Sequence, residues 1–414
     1  MWGGIHAMAE PEDCFPDADI VCIGEGEEAL TEYLADPERR DIQGLWFYDR
    51  KTREIIKNPM RRFIPDLDSL PFPHWGKNEW LIEDGRVIEE PMDQVFVRGH
   101  FRVFTTRNCP FKCAYCVHSM FRDKMKGLGP YVRRRSPDNV IEEVVLRQRQ
   151  FNLPEIRFGD EVFVMGMKWI EEFAAKYKER VNLPFFATCH PRTTTREMLA
   201  VLKDAGLSEV CVGIQSGSPR ILNDVFERNT TNEQIVKMTE WFHEIGFDRI
   251  QFDLLSYTPY ENEEDCRKTL EFLGSLPKPF DPFVYKLVSF PTCKMDKMNH
   301  PKGDMDHNGF FFFNMLYLLT QNDKVPMETI RALSHDRFLR ERPMLMTKLV
   351  RGILGGDDQF RGLDWKITEL EFQLSRMTWT RLLKKRLRGV LPSPVWNTLR
   401  RGKAMLTNST AGVH

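Results

Sequence analysis

The sequence has no excess of either charge. Lys and Arg number 59 against 60 Asp and Glu, a formal charge of −1. A protein that coats nucleic acid carries a basic excess, so no nucleic-acid partner is expected. There is also no apolar run approaching the ~20 residues of a membrane-spanning helix. The longest stretch, 310–319, is interrupted by Asn314. The opening Met1-Trp2-Gly3-Gly4 lacks the basic start and apolar run of an export signal. A cytoplasmic location is expected from that. With 42% hydrophobic and 12% aromatic residues, the chain is not short of core material, which excludes disorder. Its 414 residues suffice for roughly two or three domains, or one large barrel with attachments. The nine cysteines are an odd count, and three of them crowd into eight residues. Without an export signal, that crowding points to a metal and away from disulfides.

The periodicity divides the chain into four parts, which we take as 1–64, 65–98, 99–292 and 293–414. In the first, Ile20-Val21-Cys22-Ile23 reads as a buried strand. A Gly24-Glu25-Gly26-Glu27 turn follows, then a helix through Ala29, Leu30 and Leu34. One strand and one helix bury too little to fold alone. They must join a sheet with strands before Met1 or dock on the rest of the chain. Residues 44–56 pattern as a hairpin turning near Asp49-Arg50-Lys51. The second part opens with spaced prolines, Pro65, Pro71 and Pro73, and reads as a linker.

From about 101 to 290, short apolar runs alternate with helical ones. Strands are predicted at 103–106, 155–158, 185–188, 209–214, 250–257 and 283–290. The intervening helices have legible ends. Ser136-Pro137 is an N-cap followed by proline at the first helical position. Thr231 to Gln234 forms a capping box, and Gly246 closes that helix. Alternating strands and helices imply a parallel sheet with right-handed crossovers. About 190 residues at ~30 per unit give six units, short of the ~250 of a complete eight-unit barrel. The expected fold is therefore α/β: a partial (β/α)6 TIM-like barrel, preceded by a truncated Rossmann-like remnant and followed by a helical C-terminal extension. A doubly wound sheet is the alternative that spacing leaves open.

Cys109, Cys113 and Cys116 are spaced C-x3-C-x2-C, just after the first predicted barrel strand. That places them at the C-terminal face of the sheet, where barrel active sites form. Three thiolates can hold three irons of a cubane and leave the fourth open, whereas fully ligated 4Fe–4S clusters use four cysteines. Two other readings remain. One is a structural zinc with His118 as the fourth ligand; the other is three ordinary buried cysteines.

With an aromatic residue, Tyr115, before the last cysteine, this motif resembles that of the radical S-adenosylmethionine enzymes, over about 101–290. The resemblance implies that Cys109, Cys113 and Cys116 bind a 4Fe–4S cluster. In that family the open iron chelates S-adenosylmethionine, and one electron breaks the C5′–sulfur bond. The 5′-deoxyadenosyl radical so formed takes hydrogen from an unactivated carbon. Tyr115 would lie near the adenine. At the end of the second strand, Gly159-Asp160-Glu161 offers carboxylates to the cofactor's ammonium. The segment Gly213-Ile214-Gln215-Ser216-Gly217 is similar to the family's Gly-Ile-Glu-Ser-Gly, with Gln215 in place of Glu and Ser216 poised for a ribose. Arg228 matches a basic residue often found there. The loop Leu255 to Glu261 is similar to an adenine-flanking loop, with Tyr257 and Tyr260 replacing its glycines. After the third strand, His190 and Arg192 are candidates for hydrogen-bonding the substrate.

The N-terminal segments, Gly3-Gly4-Ile5-His6-Ala7 and 19–27, resemble the end of a cobalamin-binding domain. That makes the chain similar to the cobalamin-dependent subgroup with that domain truncated. The cobalt-ligand motif D-x-H-x-x-G is absent, and His6 does not stand in one. The implied activity is radical chemistry on a carbon centre of a small-molecule substrate: methyl transfer through cobalamin, or an oxidation, cyclisation or rearrangement. Either version needs a flavodoxin or ferredoxin-type electron donor. The alternatives are a non-catalytic iron–sulfur or zinc protein derived from such an enzyme, and an RNA-modifying relative. Near the C-terminus, Lys384, Lys385, Arg386 and Arg388 interleave with Leu382, Leu383, Leu387 and Leu391. That pattern suits either a solvated helix face or a peripheral contact with anionic lipid.

Overall fold

Parallel strands need crossovers, and the helices between them supply these in strict sequence. In the computed structural model, residues 1–74, 101–288, 290, 292–323 and 325–354 are described, with the backbone of 81–83 and 86–88. The basic stretch at 382–388 and the tail lie outside the described residues, as does most of the 65–98 linker. Two compact units are present, Met1–Met305 and Asp306–His414.

The first unit begins with helix α1 (Ile5–Ala9), strand β1 (Ile20–Cys22), helix α2 (Glu27–Ala35) and strands β2 (Leu45–Tyr48) and β3 (Ile55–Lys57). These strands form an antiparallel sheet in the order β1-β2-β3, and the hairpin expected at 44–56 is the β2–β3 pair. Trp2 adds a parallel bridge beside Val21. In the connector, β4 (Leu81–Glu83) pairs antiparallel with β5 (Arg86–Ile88).

The main sheet contains β6 (Arg102–Val103), β9 (Ile156–Phe158), β10 (Phe185–Cys189), β11 (Leu207–Gln215), β12 (Arg249–Ser256) and β13 (Asp281–Lys286). Their spatial order, β13-β12-β11-β10-β9-β6, is the sequence order without reversal, and every pairing is parallel. A doubly wound sheet reverses at a switch point. This one does not reverse and does not close on itself, so it is the partial barrel. Helices α4 (Pro137–Gln150), α5 (Met167–Arg180), α6 (Arg196–Asp204), α7 (Asn232–Ile245) and α8 (Glu263–Ser275) occupy the connections, preceded by α3 (Val117–Lys124). Ser136 accepts from Asn139 N, Thr231 and Gln234 close their box, and Gly246 adopts φ 79° at the end of α7. Ile235, Met238 and Phe242 are fully buried on one face of α7, each contributing about 1.5–3 kcal/mol of burial. A second capping box, Asn262 with Asp265, starts α8.

The first predicted barrel strand, 103–106, is split. Only β6 joins the main sheet. Thr106–Arg107 forms β7, which pairs antiparallel with β8 (Arg133–Arg134). The cause is Asp160, whose carboxylate captures the amides of Thr105 and Thr106 that a longer strand would give to its neighbour.

The N-terminal sheet docks on the barrel. Ala7, Met8, Cys14, Val21, Ile23 and Phe63 share a core with Met125, and Phe121 packs against it. Glu25 anchors the contact. It accepts from both Arg133 Nη atoms at 2.9 and 2.7 Å, from Arg107 at 3.0 Å and from the Ile64 amide at 2.9 Å. Burial raises the Glu25 carboxyl, but the hydrogen bonds from Arg133, Ile64 and Arg107 outweigh it and hold the group below its ordinary value.

The second unit opens on α9 (His307–Leu319), capped by Asp306, which accepts from Gly309 N at 2.8 Å. Its Phe310 to Leu319 run is buried on all sides. Helices α10 (Met327–Leu333), α11 (Arg337–Arg340) and α12 (Pro343–Leu354) follow, and α9 packs on α12. Among the described residues no helix is long and apolar enough to cross a membrane.

Replacing Glu25 by Ala leaves Arg133 buried without a counter-charge, which costs about 3 kcal/mol or more. The variant should melt measurably below the wild type. Because the folded pKa is depressed, the Glu25 contribution is complete above the ordinary value of 4.5 and is lost as pH falls below it. A pH series of melting curves should show the gap between wild type and variant close on the acid side.

Candidate active site

The site is assembled at the C-terminal ends of the strands, starting with the loop that carries the three cysteines. Its entry is fixed by Asp160, just past β9. One oxygen, Oδ1, accepts from Thr105 N at 2.9 Å, Thr105 Oγ1 at 3.1 Å, Thr106 N at 2.5 Å and Thr106 Oγ1 at 2.6 Å. The other, Oδ2, is buried without a partner. Asp160 itself is 2% exposed, and burial pushes its carboxyl up despite the Thr106 hydrogen bonds and the Arg134 charge.

The middle of the loop is clamped on both sides. Ala114 N donates to Phe226 O at 2.8 Å, and Ala114 O accepts from Met295 N at 2.9 Å. Ala114 packs with Ile221, Val225, Phe226, Tyr260 and Met295. At the exit, Cys116 N donates to Cys113 O, and α3 then carries the chain away. Cys113 is buried, while Cys109 and Cys116 are half-buried. Burial, then nearby negative charge including Glu161, pushes the Cys109 thiol up to about 11 and the Cys116 thiol up to about 12. Loading a metal on this loop therefore displaces protons from buried thiols.

The two carboxylates after β9 have different fates. Asp160 is turned into the scaffold. Glu161 is the one that faces the cysteines, with His118 Nε2 3.5 Å from its Oε1. His118 Nδ1 lies 3.1 Å from Tyr131 Oη. His118 thus lies between Tyr131 and Glu161. This Tyr131–His118–Glu161 chain had no local signal in the sequence, because Tyr131 is thirteen residues from His118.

The other residues singled out from the sequence divide in the same way. Arg228 is buried, and its Nη1 lies 3.1 Å from Tyr115 Oη and 3.7 Å from Cys113 Sγ. Its Nη2 donates to Gly213 O. The Tyr115 ring meets Phe226 edge-on at 4.7 Å. Gly159 lies under the Phe104 ring, where an added Cβ would come within 2.7 Å. Gln215 has φ 66° and folds its amide back over Gly213. Ser216 is buried against Thr269, at 3.2 Å, and accepts from Ser218 N, so its hydroxyl is spent inside the fold. Gly217 is required there because α8 crosses it closely, at Thr269 and Phe272. Tyr257, φ 63°, donates its amide to Glu261 and carries Lys286 4.4 Å over its ring. Arg228 meets Tyr115 and Cys113, whereas Asp160 and Ser216 spend their side chains on the scaffold; among the described residues no three His, Cys, Asp or Glu side chains gather closely enough to hold a single metal ion.

His190 also belongs to this region. Its ring stacks on Phe111 of the cysteine loop at 3.7 Å. Nδ1 accepts from Arg192 N at 3.2 Å, and Nε2 is buried without a partner. Burial, with the Arg228 and Arg192 charges, pushes its pKa down to about 2. The ring is therefore neutral, and with Nδ1 accepting, Nε2 carries the hydrogen.

Residues 103–273 match the family described as the radical SAM superfamily. The chain is 27% identical over 283 residues to an uncharacterized methyltransferase, PH0819, of Pyrococcus horikoshii, covering 66% of this chain and 57% of that protein. It is 25% identical over 289 residues to the cytidylyl-2-hydroxyethylphosphonate methyltransferase of Streptomyces wedmorensis, covering 62% and 52%. The chain thus spans a little over half the length of these curated relatives. Its fold is similar to that of the radical S-adenosylmethionine methyltransferase TsrM from Kitasatospora setae, solved with cobalamin and a [4Fe-4S] cluster. There the TM-score is 0.54 at 17% identity, over 71% of this chain and 56% of that one.

Replacing Asp160 by Ala frees two buried backbone amides and two hydroxyls, each unsatisfied donor costing about 1–3 kcal/mol. Hydrogen exchange should show Thr105 and Thr106 losing protection while the α7 amides keep theirs.

Proposed function

We propose that this chain is a radical S-adenosylmethionine enzyme whose Cys109, Cys113 and Cys116 hold three irons of a 4Fe–4S cluster. The observation that carries this reading is the loop itself. It has three thiols, it is clamped at the C-terminal face of a six-strand parallel sheet, and the Glu161 carboxylate lies near its outer cysteines. Held by these three cysteines, such a cluster would supply the single electron that splits S-adenosylmethionine into methionine and a 5′-deoxyadenosyl radical.

The chain's own residues then have distinct tasks. Glu161 accepts hydrogen bonds from the ammonium of S-adenosylmethionine, and His118 with Tyr131 holds Glu161 in place. Tyr115 borders the adenine. Gln215, Tyr257 and Gly159 line the approach at the strand ends, and Asp160 and Ser216 brace the loops that carry them. His190 offers a neutral N–H.

The reaction is methylation of a small-molecule carbon substrate. Both curated relatives are named as methyltransferases, which favours it over oxidation or cyclisation. Cobalamin serves as methyl carrier in that version, with residues 1–64 as the remnant of its domain. The electron donor is a flavodoxin or ferredoxin-type protein in a reducing cytoplasm. A non-catalytic iron–sulfur protein is the competing reading.

Anaerobic reconstitution should load about four irons per chain. With dithionite and S-adenosylmethionine, it should release 5′-deoxyadenosine. Cys113→Ala should lose both. Iron without cofactor cleavage would favour the non-catalytic protein, and one retained zinc per chain would remove the cluster. Glu161→Gln should keep the iron but weaken S-adenosylmethionine binding roughly tenfold or more, the scale of one charge-assisted hydrogen bond.

A further inference from the structure

Arg228 is presented by an unusual stretch of backbone. A π-helical turn runs over Arg220–Val225, and Arg228 N returns to Leu222 O at 3.0 Å. The residues on either side of Arg228 are both left-handed without being glycine: Glu227 at φ 48° and Asn229 at φ 54°. Such conformations cost energy and persist where the surroundings enforce them. Here the surroundings are the cysteine loop. Phe226 O holds Ala114 N, the Phe226 ring meets Tyr115, and Lys294 pairs with Glu227 at 2.6 Å.

The side chain delivered by this turn is 6% exposed, and three of its five N–H donors are committed to protein atoms. Nη1 serves Cys113 Sγ and Tyr115 Oη, Nη2 serves Gly213 O, and Nε is buried without a partner. A guanidinium so placed lies in hydrogen-bonding contact with one sulfur of the trio.

We propose that Arg228 sets the reduction potential of the cluster from Cys113's corner, donating a charge-assisted hydrogen bond to that thiolate and so favouring the reduced state. This rests on the reading that the three cysteines carry a 4Fe–4S cluster. Reduction adds one electron to the cluster, supplied by the flavodoxin or ferredoxin-type donor, or by dithionite in vitro. A fixed positive charge at a desolvated sulfur stabilises that added charge, and hydrogen bonds to cluster sulfurs are among the levers that tune potential. Arg228 is in this role a positioning and tuning residue acting through Cys113.

The test is a redox titration, followed by electron paramagnetic resonance, of the reconstituted full chain without S-adenosylmethionine. Wild type, Arg228→Lys and Arg228→Gln are compared. Arg228→Gln should keep its iron, while the ratio of reduced to oxidised cluster at fixed potential falls at least tenfold, a shift of about 59 mV for a one-electron couple. Arg228→Lys should fall less, because its charge remains. An unchanged midpoint in Arg228→Gln, with S-adenosylmethionine binding weakened instead, would overturn the proposal. If the Gln variant holds no cluster, the Lys variant decides: a lowered midpoint at full iron content supports the proposal, and an unchanged midpoint refutes it. Failure of the wild type to take up iron is a different result, and it removes the proposed function itself.

Discussion

A single carboxylate oxygen determines where the cysteine loop begins. Four donors from Thr105 and Thr106 converge on Asp160 Oδ1 in a site with almost no solvent. In water those donors would be satisfied anyway. Inside the protein, leaving them unpaired is costly, so the chain has little freedom to extend β6 or to let the loop drift. The strand stops early, turns into the β7–β8 ribbon, and releases Cys109 at the C-terminal face of the sheet. The second constraint, on Ala114, acts from the opposite direction. Its amide and carbonyl are held by segments more than a hundred residues away in sequence, Phe226 and Met295. Between these two anchors the three thiols have few arrangements open to them.

The electrostatics follow from that placement. Burial raises the outer thiols, and Glu161 adds to the effect, so the metal-free loop holds protons. The Arg228 guanidinium lies beside Cys113, its Nη1 3.7 Å from the sulfur. A site that carries a carboxylate on one side and a guanidinium on the other can receive a zwitterionic ligand near Glu161 while stabilising an added negative charge on the sulfur side. The N-terminal sheet is tied to the same scaffold, because Glu25 bridges Arg107 of β7 and Arg133 of β8, the two strands that flank the cysteine loop in sequence.

Much of this was legible in the sequence. The six strands, their order of connection, the caps at Ser136, Thr231 and Gly246 and the position of the cysteine motif all arise from local patterns of apolar spacing and turn residues. What escaped depended on side chains meeting backbone far away in the chain. The split of 103–106 requires knowing that Asp160 reaches Thr105 and Thr106. The Asn262–Asp265 box was visible in principle, since Asn followed three residues later by Asp is a weaker form of the same signal read at Thr231. Gly159 and Gly217 mark where Phe104 and α8 come close, which spacing alone does not reveal. Within the site, one acid of the Asp160–Glu161 pair is structural and the other faces the cysteines. Adjacent residues on an irregular segment point in different directions, and only the fold decides which is which.

The central claim is that three cysteines leave one iron with a vacancy that S-adenosylmethionine fills. Electron–nuclear double resonance on the reduced protein tests this directly, using S-adenosylmethionine labelled with nitrogen-15 in its amino group and oxygen-17 in its carboxylate. Hyperfine coupling from both nuclei to the cluster spin is the predicted result. A well-formed cluster showing no coupling from either label would contradict it.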